Sequence, residues 1–251
     1  MTIQACAEIV KRADPDRFMG IMAAPSEFRA GLFALYAFNV EVARAPWVTK
    51  ELMIAEMRLQ WWRDALGEVE NAGQVRSHEV TTPLAAIIDG AKIPIKVLDE
   101  AIIARRWDIY RDPFEDEEHF AEYLDHTAGG LMWAAVKICG GKNEQSARLV
   151  GRAAGLANWF IAIPALEAHG VQPLIDGRPD AIKELAHDAL QSLDCLEYEK
   201  KAIPAYRISW QTRKVLRQAA TNPEAVANAT LGQSEFVKKG SLLVKSIFNH
   251  W

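Results

Sequence analysis

The apolar residues of this chain recur at helical spacing almost from end to end, and that leaves little room for a sheet. Ala, Leu, Glu, Lys and Arg dominate, while alternating β-branched runs are scarce. The breaks are equally regular. Asp14-Pro15-Asp16 opens a short helix, with a capping carboxylate and proline in the first turn. A second helix follows Pro25-Ser26 to about Arg44, where Pro46 stops it. Thr49 is placed to cap a third, which runs through Glu70 and ends at Asn71-Ala72-Gly73. Thr82-Pro83 restarts the chain. Gly90 and Pro94 bracket a turn, and a further helix reaches Tyr110 before Asp112-Pro113 breaks it. Helices are expected over about 116–138 and 144–168, joined by Cys139-Gly140-Gly141-Lys142-Asn143 as C-cap, turn and new N-cap. His169-Gly170 ends the second of these. A loop with Pro173, Gly177 and Pro179 leads to a polar amphipathic helix over about 180–200, and Pro204 and Asn222-Pro223 set off the last two segments. With no internal repeat, low-complexity tract or linker, the reading is a single all-α domain over 1–251 with roughly nine or ten helices.

Composition narrows the partners. At 251 residues, 50% hydrophobic and 25% charged, the chain has enough apolar material for one large core. A net charge of −4 argues against the concentrated basic face that nucleic acid requires. Cys6, Cys139 and Cys195 form no Cys-x-x-Cys and read as thiols in a reducing compartment. The most apolar run, Ala153 to Leu166, is 14 residues interrupted by Asn158 and Pro164. A membrane span needs about 20. Met1 to Lys11 lacks the basic start and apolar stretch of a secretory signal, so the expected location is cytoplasmic. Residues 237–251 are apolar, with three lysines and a terminal Trp251. They suit either a helix docked on the body or peripheral contact with the inner membrane.

Four segments carry a family signature. They are Leu35-Tyr36-Ala37-Phe38, then Met57-Arg58-Leu59-Gln60-Trp61-Trp62-Arg63-Asp64-Ala65-Leu66, then Arg105-Arg106-Trp107-Asp108 with Phe120-Ala121-Glu122-Tyr123 and Ala128-Gly129-Gly130, and last Gly151-Arg152-Ala153-Ala154-Gly155-Leu156-Ala157-Asn158. In order and spacing they resemble the squalene/phytoene synthase family over about residues 17–193. The resemblance implies an all-α isoprenoid-synthase fold around a central cavity. In that family a Tyr-Ala-Phe helix runs into an Asp-x-x-x-Asp pair, whose carboxylates share a helix face and hold Mg²⁺ against a substrate diphosphate. Here the aspartate positions are Ala43 and Trp47, and the arginine expected before them is Val40. On the second wall the expected polar residue is Gly155, Asn158 survives, and the aspartate positions are Ala162 and Leu166. Neither pair can ligate a hard cation. Ionising a prenyl diphosphate without one is expensive, so head-to-head prenyl coupling is not expected and no cofactor is implied.

Asn39-Val40-Glu41-Val42-Ala43 resembles a non-catalytic branch of the family, the one containing a mitochondrial respiratory complex I assembly factor. By that likeness the chain is a pseudoenzyme with a respiratory-complex assembly partner, a hydrophobic isoprenoid or lipid ligand, or both. Cavity candidates are Tyr36, Val40, Ala43, Trp47, Gly129, Asn158, Ala162 and Leu166. Tyr36 and Asn158 match cavity-lining positions of the family, although a core aromatic and a satisfied buried amide are the simpler readings. One alternative is a prenyltransferase with an atypical Mg²⁺ site built on Asp108 and Asp112, against which Pro113 places Asp112 beyond the helix end. Another is a purely structural interaction module whose cavity is filled by side chains such as Trp47 and Trp159. His119, Glu122 and His126 share a helix face but read as an acidic helix start. Arg58, Arg63 and Asp64 beside Trp61-Trp62 read as paired charges over packed indoles.

Overall fold

The computed structural model of the chain describes residues 3–71 and 75–251. No strand occurs among the described residues. In order the helices are α1 (Ile3–Ala13), α2 (Pro15–Met22), α3 (Ser26–Arg44), α4 (Leu52–Glu70), α5 (Thr81–Ala91), α6 (Ile95–Ala104), α7 (Trp107–Tyr110) and α8 (Glu117–Leu124). There follow α9 (Gly130–Ile138), α10 (Glu144–Ala168), α11 (Pro179–Asp194), α12 (Ile203–Arg207), α13 (Thr212–Thr221), α14 (Glu224–Ala227) and α15 (Glu235–Ile247). A 3₁₀ turn at Ala45–Trp47 prolongs α3, and a π-turn at Asp125–Gly129 joins α8 to α9.

Side-chain caps begin several helices, at Asp14 and Asn143 where the sequence places them and at Asp116 just before the helix expected from there. Asp14 accepts from the Arg17 N–H at 2.9 Å, Asp116 from the His119 N–H at 2.8 Å, and Asn143 from the Ser146 N–H at 2.9 Å. Thr49 instead accepts from the Glu51 N–H, and α4 starts at Leu52. Ala72 and Gly73 lie outside the described residues, and Asn71 is the C-cap of α4.

The elements outnumber the nine or ten expected because the longer patterns are cut. Gly90 stays inside α5, and the left-handed residue that ends it is Lys92, at φ 53°. Arg105 and Arg106 break the helix expected to reach Tyr110, leaving α7 as one turn. The helix expected to reach residue 200 stops at Asp194.

Two long helices organise the core. Along α3, Leu32, Leu35, Tyr36 and Phe38 are buried, and along α10, Val150, Leu156, Phe160 and Ile163 are buried. Each large side chain so buried contributes about 1.5–3 kcal/mol. By length and composition alone α10 could cross a membrane. It packs against α8, the π-turn, α9, α11, α13 and α14, which identifies it as the core helix.

Its tightest approach is to the π-turn. A Cβ on Gly151 would run into the Ala128 carbonyl oxygen and lie 2.7 Å from Gly129 Cα, and one on Gly155 would lie 2.8 Å from Ala128 Cβ. Backbone meets backbone there, so neither side can give way. Gly151→Val is expected to lower stability by about 3 kcal/mol in urea denaturation. A loss under about 0.5 kcal/mol would show that the two helices separate freely.

Candidate functional site

Tyr36 on α3 and Asn158 on α10 face one cavity of about 260 Å³. Leu131 and Met132 of α9, Ala154 and Gly155 of α10, and Ile208 and Val215 supply its apolar walls. Asp16, Arg17 and Lys238 form a polar edge. Tyr36 is 2% exposed, and burial pushes its phenol up to about 12 against the pull of Arg17. The Arg17 guanidinium lies 5.2 Å from the centre of the Tyr36 ring. Asp16 accepts from Gln211 at 2.7 Å and Lys238 at 3.0 Å, so the edge is internally paired. Asn158 is exposed to this cavity, which corrects the buried-amide reading. Trp210, another lining residue, has its indole N–H buried without a hydrogen-bond partner.

Val40 and Ala43 line a different hollow, between α1, α2 and α3. Around it stand Arg12, Arg17, Arg44 and Arg105, with Asp14 as its acidic residue. This is the first wall of the expected metal site. The positions expected to supply metal ligands carry alkyl side chains, and four guanidinium groups face a single carboxylate, so the residues present do not fit Mg²⁺.

Trp47 lines neither hollow. The 3₁₀ turn carries it, 40% exposed, to the end of α10, where its ring meets His169 edge-on at 5.9 Å. The Arg111 guanidinium stacks over it at 4.2 Å. Trp47 therefore bridges the two walls with packing in place of a shared ion. On the second wall Leu166 is buried in the core and Ala162 packs partly buried against it. Trp159 belongs to an aromatic cluster with Trp107, Phe114, Phe120 and Tyr123, and donates to the Pro173 carbonyl at 2.9 Å. Gly129 is buried away from the cavity. A Cβ there would lie 2.6 Å from Asp125 Oδ1, so the glycine leaves room for the carboxylate that binds Arg148 at 2.6 Å.

The Asp108/Asp112 pair does not assemble as a metal site. Asp108 is 2% exposed and accepts from Arg105 and from the Tyr123 hydroxyl, each at 3.1 Å. Burial pushes its carboxyl above the ordinary carboxylate range, against the pull of Arg105. Asp112 is exposed in the following loop. Among the described residues no group of three or more His, Cys, Asp and Glu side chains is arranged to hold a metal. His126 falls within the π-turn and stands 3.9 Å from Glu122, while His119 accepts from the Glu115 N–H at 3.4 Å. The Trp-Trp stretch is packing and pairing: Arg63 binds Asp99 at 2.7 Å, Gln60 binds Asp64 at 2.7 Å, and Trp62 lies edge-on to Phe38. The Asp108–Arg105–Tyr123 cluster and the Trp47–Arg111–His169 stack were missed by sequence reasoning, since neither has a fixed sequence spacing.

A helical shell around a cavity with two walls on α3 and α10 is the isoprenoid-synthase architecture. The family model described as squalene/phytoene synthase matches residues 10–174, and the chain belongs to that family. Among solved structures, a dehydrosqualene synthase in complex with ligand superposes at a TM-score of 0.63 with 14% identity, covering 98% of this chain and 83% of that one. Squalene synthase HpnC from Alicyclobacillus acidocaldarius gives 0.62 and 14%, covering 98% and 94%. At that identity the likeness is one of fold. In sequence the chain is similar to the NADH dehydrogenase (ubiquinone) complex I, assembly factor 6 homolog of Drosophila melanogaster, 27% identical over 63% of this chain and 50% of the relative. Assembly factor 6 of Homo sapiens is 23% identical over 63% and 48%. The matches thus span about half the length of these relatives.

Removing the Asp108 carboxylate strands Arg105 in a nearly buried setting. Asp108→Ala is expected to cost about 3–5 kcal/mol in denaturant unfolding, because an uncompensated charge remains. Asp112→Ala should change stability by less than about 0.5 kcal/mol. Equal effects, or a Mg²⁺-dependent rise in melting temperature lost in both variants, would reinstate the pair as a site.

Proposed function

We propose that this chain is a non-catalytic member of its family that holds an uncharged isoprenoid or other lipid chain in the Tyr36–Asn158 cavity and acts in the assembly of respiratory complex I. The observation that carries the first half is the replacement of every expected metal-binding acid by Ala43, Trp47, Ala162 and Leu166, with arginines around the first wall. Prenyl transfer must stabilise a departing diphosphate, and a metal is the family's means of doing so. The cavity supports a modest ligand. Its volume of about 260 Å³ lies below the usual range of about 300–1,000 Å³ for a small-molecule site. It suits the end of one chain better than two complete prenyl substrates. The assembly role rests on the names of the relatives.

Incubation with farnesyl or geranylgeranyl diphosphate and Mg²⁺ is expected to release no diphosphate above a protein-free control. Mass spectrometry of the native protein should find a copurifying lipid, and Ala154→Phe, which fills the cavity, should reduce it at least several-fold. Cells lacking the chain should show less assembled complex I on native gels, restored by the parent sequence. Turnover that Asp108→Ala abolishes would overturn the non-catalytic reading. Unchanged complex I would remove the assembly role.

A further inference from the structure

Helix α15 is held to the body by a narrow strip. Leu242 is its buried residue, Lys238 reaches Asp16 at 3.0 Å, and Arg207 binds Asn249 and the His250 carbonyl just beyond it. The opposite face is apolar and uncovered. Phe236 is 87% exposed, Ile247 67% and Phe248 66%, and Val237, Leu243 and Val244 are exposed with them. At about 100° per residue these six side chains fall on one continuous stripe. Lys239 stands at its rim and Lys238 and Lys245 lie on the far side.

The charge around this helix is one-sided. Residues 201–251 carry eight Lys and Arg against two Glu, in a chain whose net charge is −4. Within that region α13 bears Arg213, which is paired with Asp194 of α11, and the exposed Lys214 and Arg217, with no acid of its own. Glu235, the acid of α15, is already paired with Lys238 at 3.2 Å. Burial lowers the Lys245 pKa, and Arg213, Arg217 and Arg207 lie close enough for their charges to lower it further. Arg213 also lies over the Trp251 ring at 5.4 Å, so α13 runs along the flank of α15 that carries Lys245, and its exposed Lys214 and Arg217 border that flank, next to the apolar stripe.

A soluble partner protein would have to cover the stripe and supply many acids in register. An anionic bilayer supplies both in any register, a hydrocarbon boundary for the aromatic and aliphatic side chains and a sheet of phosphates for the cations. We propose that α15, with the cations of α13 beside it, is a docking face for an anionic membrane surface. Phe236, Leu243, Ile247 and Phe248 enter the headgroup boundary, while Lys239, Lys214 and Arg217 meet the lipid phosphates. The surface is separate from the fate of the metal site, and the proposal does not rest on the ligand held in the cavity.

Flotation of the full chain with vesicles of phosphatidylglycerol mixed into phosphatidylcholine, compared with phosphatidylcholine alone, tests it. Binding is expected to the anionic vesicles and to weaken as salt rises. The double variant Ile247→Glu/Phe248→Glu should reduce the bound fraction about tenfold with unchanged helicity and melting temperature, since both residues are exposed. Lys214→Glu/Arg217→Glu should remove the preference for anionic lipid. None of these residues lines the cavity, so bound lipid measured by mass spectrometry should stay constant across the variants. Absence of binding to either vesicle, or binding that survives both double variants, overturns the proposal. So does a dimer seen by light scattering that Ile247→Glu/Phe248→Glu dissociates in the absence of vesicle binding, an outcome that assigns the face to a second copy of the chain.

Discussion

The close approach of α10 to the π-turn is the contact on which the arrangement of the site depends. Gly151 lets the helix lie against the backbone of Ala128 and Gly129, and Gly155 leaves room for the Ala128 methyl. The inserted residue of the π-turn redirects the chain between α8 and α9, and such single-turn insertions are frequent at functional sites. Arg148 of α10 then locks onto Asp125 of the same turn at 2.6 Å. With α10 set by this contact, its Ala154, Gly155 and Asn158 are presented to the cavity opposite Tyr36. The position of α10, and hence of the wall that carries Asn158, follows from packing that involves none of the positions where metal-binding acids are expected. That is why the architecture persists without them.

The electrostatic character of the site has changed more than its shape. Four acids paired across a gap would repel one another without a metal, whereas aliphatic residues and a tryptophan pack without any ion. Trp47 joins the walls through its contacts with Arg111 and His169. Beside it the hollow at Val40 and Ala43 is lined by guanidinium groups. The Asp108 carboxylate, which might pass for a replacement ligand on paper, is committed to Arg105 and Tyr123.

Much of this fold was legible in the sequence because helix ends are local events. Asp14 and Asn143 cap where their residue types predict, and the 144–168 helix is found at Glu144–Ala168. The errors fall where tertiary packing overrides a local pattern. Lys92 takes the left-handed turn beside an available Gly90, and Arg105 and Arg106 interrupt a pattern whose apolar periodicity continues. Site residues were legible by type more than by place. Tyr36 and Asn158 do meet at one cavity, but Val40 and Ala43 open onto another, and Gly129 serves the Asp125 carboxylate. Which side of a helix faces a void depends on its rotation against neighbours far away in sequence, and no spacing rule encodes that.

The arginines around Ala43 set that hollow against a dication. An aspartate restored at position 43 would enter a hollow lined by Arg12, Arg17, Arg44 and Arg105, and its charge would be neutralised by guanidinium before a dication could compete for it. One restored at 47 would also forfeit the stack with Arg111 and His169. Metal binding at these positions would therefore require cations to be cleared as well as acids added, and each single step would disturb packing without yielding a ligand set.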